Sequence, residues 1–203
     1  MSLTASPTTN PAVRSLNGEE VPAAGSYALD ASHSQVGFAV RHLMVSKTKG
    51  RFSDFAGVIE IAENPLESSV DVTIQTTSVD TRDEQRDGHL RSGDFFDAEA
   101  HPTLSYTSRS VRPAGKDGQY IVEGDLTVKG VTRSVPLELS FEGGATDPWG
   151  GVRLGFSAKA ELDREDFGLT YNQALETGGV LVGKTVGIEL DVQAVRPASE
   201  AVA

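Results

Sequence analysis

The sequence predicts an all-β fold, an antiparallel sheet of about eight strands that buries its apolar face against itself. Three observations lead there. Apolar and polar residues alternate with a period of two in segment after segment, which places alternate side chains on opposite faces of a half-buried strand. Short turn sequences such as Lys116-Asp117-Gly118 and Lys129-Gly130 join neighbouring segments, so the strands form hairpins and not the crossover units of a parallel α/β fold. Only one stretch reads as a helix, and one small helix cannot cover an open sheet of this size. The sheet therefore closes into a barrel or folds as a sandwich.

Residues 1–25 are rich in Pro, Ser, Thr and Ala without a sustained period, and are read as a flexible N-terminal tail. The patterned domain spans residues 26–196, and residues 197–203 form a short C-terminal tail. In its first strand Val36, Phe38 and Val40 alternate with Gly37, Ala39 and Arg41, and parity places His42 on the apolar face. A weaker segment runs from Val58 to Ile61, followed by Val70, Val72 and Ile74 against Asp71, Thr73 and Gln75. The helix is expected from Thr81 to about Ser92, capped by Asp80 or Thr81, with Leu90, Phe95 and Phe96 as its apolar contacts. Asp87 and Arg91 stand at the acid-first i,i+4 spacing. This pattern fits a surface helix and equally a gate over a barrel mouth.

Weaker strands follow at Leu104 to Thr107 and Tyr120 to Val128. Then Val135, Leu137, Leu139 and Phe141 form an apolar row, with Pro136 suited to an edge or bulge. Val152, Leu154, Phe156, Ala158, Ala160 and Leu162 make the longest row, and Val186, Ile188, Leu190 and Val192 the last. Aromatic residues are only 6% of the chain, and the inward rows are mostly Val, Leu, Ile and Ala. Such walls leave room for one ligand inside an eight-stranded barrel, the alternative being a filled sandwich core.

Composition narrows the function. The 203 residues carry a formal net charge of −11, which opposes the basic stripe that binding to nucleic acid or to anionic membranes requires. Cysteine is absent, so disulfides, thiolate metal sites and cysteine nucleophiles are excluded together. No apolar run is long enough to cross a bilayer as a helix, and the first residues do not resemble a signal peptide, so a cytoplasmic protein without an integral membrane segment is expected. Gly178 to Thr185 fits the phosphate-loop formula GxxxxGK[ST], but the continuation from Val186 alternates as a strand where that loop needs a helix. His33, His42, His89 and His101 show no zinc spacing. The carboxylates at Asp94, Asp97 and Glu99, and at Asp163, Glu165 and Asp166, read as solvated loops or caps, and no nucleophile–base pattern is visible. No catalytic residue, metal or cofactor is expected.

Several strings taken together resemble the YceI-like family of lipocalin-like polyisoprenoid-binding proteins. They are Asp30-Ala31-Ser32-His33-Ser34, then Val36, Phe38, Val40, His42 and Met44-Val45-Ser46, then Gly50-Arg51-Phe52 and Phe55-Ala56-Gly57. Ser78-Val79-Asp80-Thr81, Arg86-Asp87, His89-Leu90-Arg91-Ser92, Asp94-Phe95-Phe96-Asp97 and His101-Pro102 follow in order. Gly124-Asp125-Leu126-Thr127, Gly130-Val131-Thr132-Arg133 and Asp166-Phe167-Gly168 complete the match. The resemblance implies an extended eight-stranded antiparallel barrel with a helix near one end, around a tunnel for a polyisoprenoid, an isoprenoid quinone or a similar long-chain lipid. Many relatives look periplasmic, from which this sequence departs at its start.

On that reading the protein binds, transports or stores its lipid without catalysis. Strand parity assigns Phe38, Val40, Phe52, Val72, Ile74, Leu137, Leu139 and Phe156 to the tunnel wall, and makes His42 the candidate for the ligand's polar head. The alternatives are an enzyme acting on an isoprenoid lipid and a ligand-free β-sandwich interaction module. A homodimer is compatible with the sequence.

Overall fold

The computed structural model describes residues 10–43, 45–174 and 179–197. Each alternating segment is a strand, and several strands are bent pieces of one longer strand. β1 (Val13–Leu16) and β2 (Glu19–Pro22) precede β3 (Gly25–Leu29), β4 (Gln35–His42), β5 (Ser46–Phe52), β6 (Phe55–Ile61), β7 (Ser69–Gln75) and β8 (Val79–Asp80). After α1 (Glu84–Arg91) come β9 (Thr103–Pro113), β10 (Gln119–Val128), β11 (Val131–Ser134), β12 (Leu137–Thr146), β13 (Val152–Asp163) and β14 (Val182–Arg196). β3 pairs with β6 while β4 pairs with β5, so β3/β4 and β5/β6 are two long strands bent at the same level. β7 and β8 likewise pair in turn with β6 and β5, and β11 and β12 both pair with β10 in one register.

Counted this way eight strands follow one another up and down. β14 pairs with β13 on one edge and with β3 and β4 on the other, which closes the ring. The structure is thus a closed antiparallel barrel and not a sandwich. Closure removes the sheet edges and turns one face of every strand inward, which is what the period of two demands. Pro136 falls in the gap between β11 and β12, where its missing N–H is not needed, and Val135 N–H reaches the Gly124 carbonyl at 2.9 Å instead. The phosphate-loop formula ends inside β14, with no helix after it.

Tyr106 bridges that gap. Its ring lies over Gly124, where a side chain would collide with it, and its hydroxyl sits 3.0 Å from the Val122 carbonyl and 3.1 Å from the Val135 carbonyl. Burial pushes this phenol far above the ordinary tyrosine range. One buried hydroxyl therefore ties β9 to the two strands whose ladder is interrupted beside it.

Two expectations require correction. Residues 1–25 are not wholly a tail, because β1 and β2 form a hairpin around Asn17-Gly18, whose φ values of 53° and 90° suit the turn that Asn-Gly favours. Ala12 and Val21 are buried, Asn10 Nδ2 donates to the Gly144 carbonyl at 2.8 Å, and Arg14 reaches the carbonyls of Ala62 and Glu63. So few apolar residues make this contact that no period betrays it. The expected tail over residues 1–9 and most of the C-terminal one lie outside the described residues. The helix is also shorter than expected. Neither Asp80 nor Thr81 caps it; Asp83 does, accepting the Arg86 N–H at 3.0 Å.

Asp30 joins the bend between β3 and β4 to the neighbouring strands. It accepts from Ser32 N–H and Oγ, and from Arg153 Nη1 at 2.6 Å, while Arg153 Nε donates to Asp147 at 3.1 Å. These hydrogen bonds, from Ser32 first and then Arg153, hold the Asp30 carboxyl well below the usual carboxylate range. A depressed folded-state pKa stabilises the fold above the unfolded value near about 3.9, and that contribution is lost as pH falls through it toward the folded value. Asp30→Asn should therefore cost about 2 kcal/mol in urea unfolding at neutral pH and flatten the acid limb of the stability profile; an unchanged acid limb would contradict this. Tyr106→Phe should lower stability by about 1–3 kcal/mol with the far-ultraviolet spectrum retained, since it leaves buried carbonyls without their donor.

Candidate functional site: an apolar cavity with one polar rim

The inward rows enclose a cavity of about 660 Å³, within the range of small-molecule sites. Each long strand contributes alternate residues, as with Val182, Val186, Ile188, Leu190 and Val192 of β14. Ten residue steps from Val182 to Val192 span about 33 Å along the strand, or about 25 Å along the axis of a barrel tilted by about 40°. The space is therefore long and suits an extended molecule.

All nine residues singled out by parity lie on this cavity: Phe38, Val40, His42, Phe52, Val72, Ile74, Leu137, Leu139 and Phe156. They differ in depth. Phe52 and Ile74 also belong to a buried cluster that fills the helix end of the barrel with Val79, Phe95, Leu104 and Phe167. Phe156 belongs to a second cluster at the far end, with Tyr27, Leu154, Ala194 and Ala12 of the N-terminal hairpin. Phe38 packs tilted against Phe52 at 5.7 Å between ring centroids, and Phe141 against Phe156 at 5.5 Å. Gly50, paired with Phe38 across β4 and β5, provides the room for the Phe38 ring, which any side chain there would strike.

Polarity is distributed unevenly along the cavity. Its charged and imidazole lining groups, Arg41, His42, Asp83, Arg86, His89 and Arg164, all belong to the β4–β5 end, α1 or the turn after β13. The opposite end is lined by Pro22, Pro65, Ser69, Ser108 and Tyr120 among others. Pro22 comes from the hairpin that composition alone reads as tail. His42 sits at the polar rim, paired across the sheet with Val182.

Most of the other rim cations are already engaged. Arg86 donates from Nε to Thr81 Oγ1 at 2.7 Å and from Nη2 to the Thr81 carbonyl at 2.9 Å. Asp87 is buried beneath and accepts from Thr81 N–H at 2.9 Å and from Thr81 Oγ1 at 2.5 Å. It does not pair with Arg91, which instead donates to the carbonyls of Thr77 and Val79. The i,i+4 spacing is correct but both side chains turn from solvent toward the barrel. Arg164 is buried as well, donating to the carbonyls of Gly183, Leu169 and Val182. Burial pushes its guanidinium below the ordinary arginine range, opposed by Glu165 and Asp163.

His89 was not assigned a role by its position in the sequence. It packs edge-on against Phe95 and Tyr171, with centroids at 5.0 Å and 4.7 Å, and its Nε2 lies 2.8 Å from Asp94. Its place one turn after Arg86 on α1 is the signal that could have found it. The second carboxylate group has structural work: Asp163 accepts the Glu165 N–H at 2.9 Å, and Glu165 pairs with Lys184 at 2.6 Å. Among the described residues no three His, Asp or Glu side chains are grouped to hold a metal ion.

A closed antiparallel barrel around a long apolar cavity, with its charged groups at one rim, defines a barrel of the lipocalin-like class. Residues 27–194 match the YceI-like domain, and the chain belongs to that family. A UPF0312 protein of Staphylococcus aureus is 36% identical over 170 residues, covering 83% of this chain and 96% of the relative. Among solved structures, BcnA of Burkholderia cenocepacia superposes with a TM-score of 0.71 at 22% identity, over 81% of this chain and 98% of that one. A polyisoprenoid binding domain from Saccharophagus degradans, implicated in plant cell wall breakdown, does so at 0.65 and 18% identity, over 84% and 98%. At these identities the two structures share the fold with this chain.

The Thr81–Asp87–Arg86 network seats α1 at the rim, so Asp87→Ala should lower stability by about 2–3 kcal/mol, whereas Asp87→Asn, which keeps an acceptor for the Thr81 N–H, should cost about half as much. Urea unfolding of the two variants checks the order, and equal losses would remove the network from this role.

Proposed function

We propose that the protein is a non-catalytic binding protein for a polyisoprenoid, an isoprenoid quinone or a similar long-chain lipid, which it carries or stores inside the barrel. The observation behind this reading is the long cavity with an almost wholly apolar wall and its charged and imidazole groups gathered at one end. A molecule with a long hydrocarbon chain and one small polar head has the same distribution. The Saccharophagus degradans domain, of the same fold, is a polyisoprenoid binding domain, which supports the class of ligand. In this reading the chain lies against Phe38, Val40, Phe52, Val72, Ile74, Leu137, Leu139 and Phe156, and His42 offers a hydrogen bond to the head.

Burial of each methylene-sized group contributes about 0.8 kcal/mol, so a five-carbon unit gains about 3–4 kcal/mol, against an association cost of roughly 4–15 kcal/mol. One-unit and two-unit prenyl compounds should bind weakly, and affinity should rise with each added unit until the cavity is full. Titration of a prenyl alcohol series into delipidated protein tests this, and a flat dependence on chain length would reject an apolar tunnel. Leu139→Arg should abolish uptake of the long members while the protein remains folded by circular dichroism. Unchanged uptake would remove Leu139 from the wall.

A further inference from the structure

The hairpin joining β4 to β5 ends in a tip that water should disfavour. Val45 is 85% exposed and Leu43 41% exposed, and the tip is built to keep them there. Leu43 holds a φ of 53°, a left-handed conformation that a branched apolar residue adopts at a cost. Its N–H donates to the Leu181 carbonyl at 2.9 Å and that of Val45 to the His42 carbonyl at 3.1 Å, so the turn is tied to the neighbouring segment.

The strands behind the tip are basic in an acidic protein. Residues 41–51 contain Arg41, Lys47, Lys49 and Arg51 and no acidic residue, although the chain as a whole carries −11. Arg41 pairs with Lys47, Ala39 with Lys49 and Gly37 with Arg51 across the two strands, so the four cations share one face; Lys47, Lys49 and Arg51 lie outside the cavity, Arg41 reaches its rim, and His42 and Thr48 line it. Arg51 is neutralised by Asp80 at 3.0 Å. Among the described residues Arg41, Lys47 and Lys49 have no carboxylate within ion-pair distance.

From the conjunction of exposed apolar tip, unneutralised cations and polar rim on one hairpin, we propose that this tip docks the barrel onto a bilayer surface bearing anionic lipids. Leu43 and Val45 enter the headgroup boundary, and Lys47 and Lys49 meet the lipid phosphates beside them. The cavity's polar end then faces the membrane from which a lipid would enter or leave. The inference goes beyond the proposed ligand and stands without it, because docking is read on the protein alone.

The full-length protein is sedimented with phosphatidylcholine vesicles, with and without about one third phosphatidylglycerol, at low and high salt. The wild type should co-sediment with the anionic vesicles at low salt and be released by high salt. Val45→Glu should weaken this partition about tenfold or more, and the double variant Lys47→Glu/Lys49→Glu by at least about 25-fold, roughly fivefold for each lost cation. Lys116→Glu, in the β9–β10 turn at the opposite end, should partition as the wild type does. A wild type that stays in solution with both vesicles, or Val45 and lysine variants that partition unchanged, would overturn the proposal. So would a wild-type dimer that Val45→Glu converts to monomer without any vesicle binding, since the tip would then belong to a second copy. Prenyl-alcohol binding by the same variants separates the two readings, because Val45, Lys47 and Lys49 do not line the cavity.

Discussion

Closure along β14 is the constraint on which the other features depend. Among the described residues the one α-helix has eight residues and cannot layer over a sheet of eight strands, so the apolar face is hidden only if the last strand returns to the first. β14 does this over fifteen residues, with β13 in unbroken register on one side and β3 and β4 in succession on the other. The second edge is irregular between Val182 and Val186, where ladder hydrogen bonds are lost. Buried Arg164 supplies donors to the carbonyls of Val182 and Gly183 at that place. A cation in the wall is thus part of the seam, because backbone acceptors away from water need a partner.

The same closure explains the hollow. Backbone ladders at about 4.8 Å per strand set the girth of the ring whatever the side chains are, and walls of Val, Leu and Ile do not reach its axis. Larger side chains are placed where they seal the ends or bridge gaps. Tyr106 over Gly124 and Phe38 over Gly50 are two cases in which an aromatic ring takes the space a neighbouring residue gives up. The cavity is therefore a consequence of composition acting within a fixed frame.

What was legible in the sequence follows from this division. Alternation marked all eight long strands, the first two only in their β4 and β6 halves, and parity placed nine named side chains on one interior surface, because in a continuous strand facing is a matter of odd and even. Barrel and sandwich share that alternation, and only the pairing of β14 with β3 and β4 separates them. The rim was less legible, since it is assembled from α1, the β4–β5 tip and the turn after β13, which no single period connects. Asp87 shows why charge patterns mislead there: at the right spacing for a surface ion pair, it is buried and serves Thr81. The N-terminal hairpin carried a usable sign in Asn17-Gly18, which the surrounding Pro, Ser and Ala obscured, as the fully buried apolar residues it contributes are only Ala12 and Val21.

That hairpin lies outside the residues matched by the family domain, yet Pro22 is part of the cavity wall and Ala12 sits against Gly144 and Leu154 at its far end. The vessel and its stopper are thus separate pieces of chain. That end of the cavity is therefore closed in part by residues 10–22, which share no strand register with the barrel. Relatives that share the staves need not share the depth.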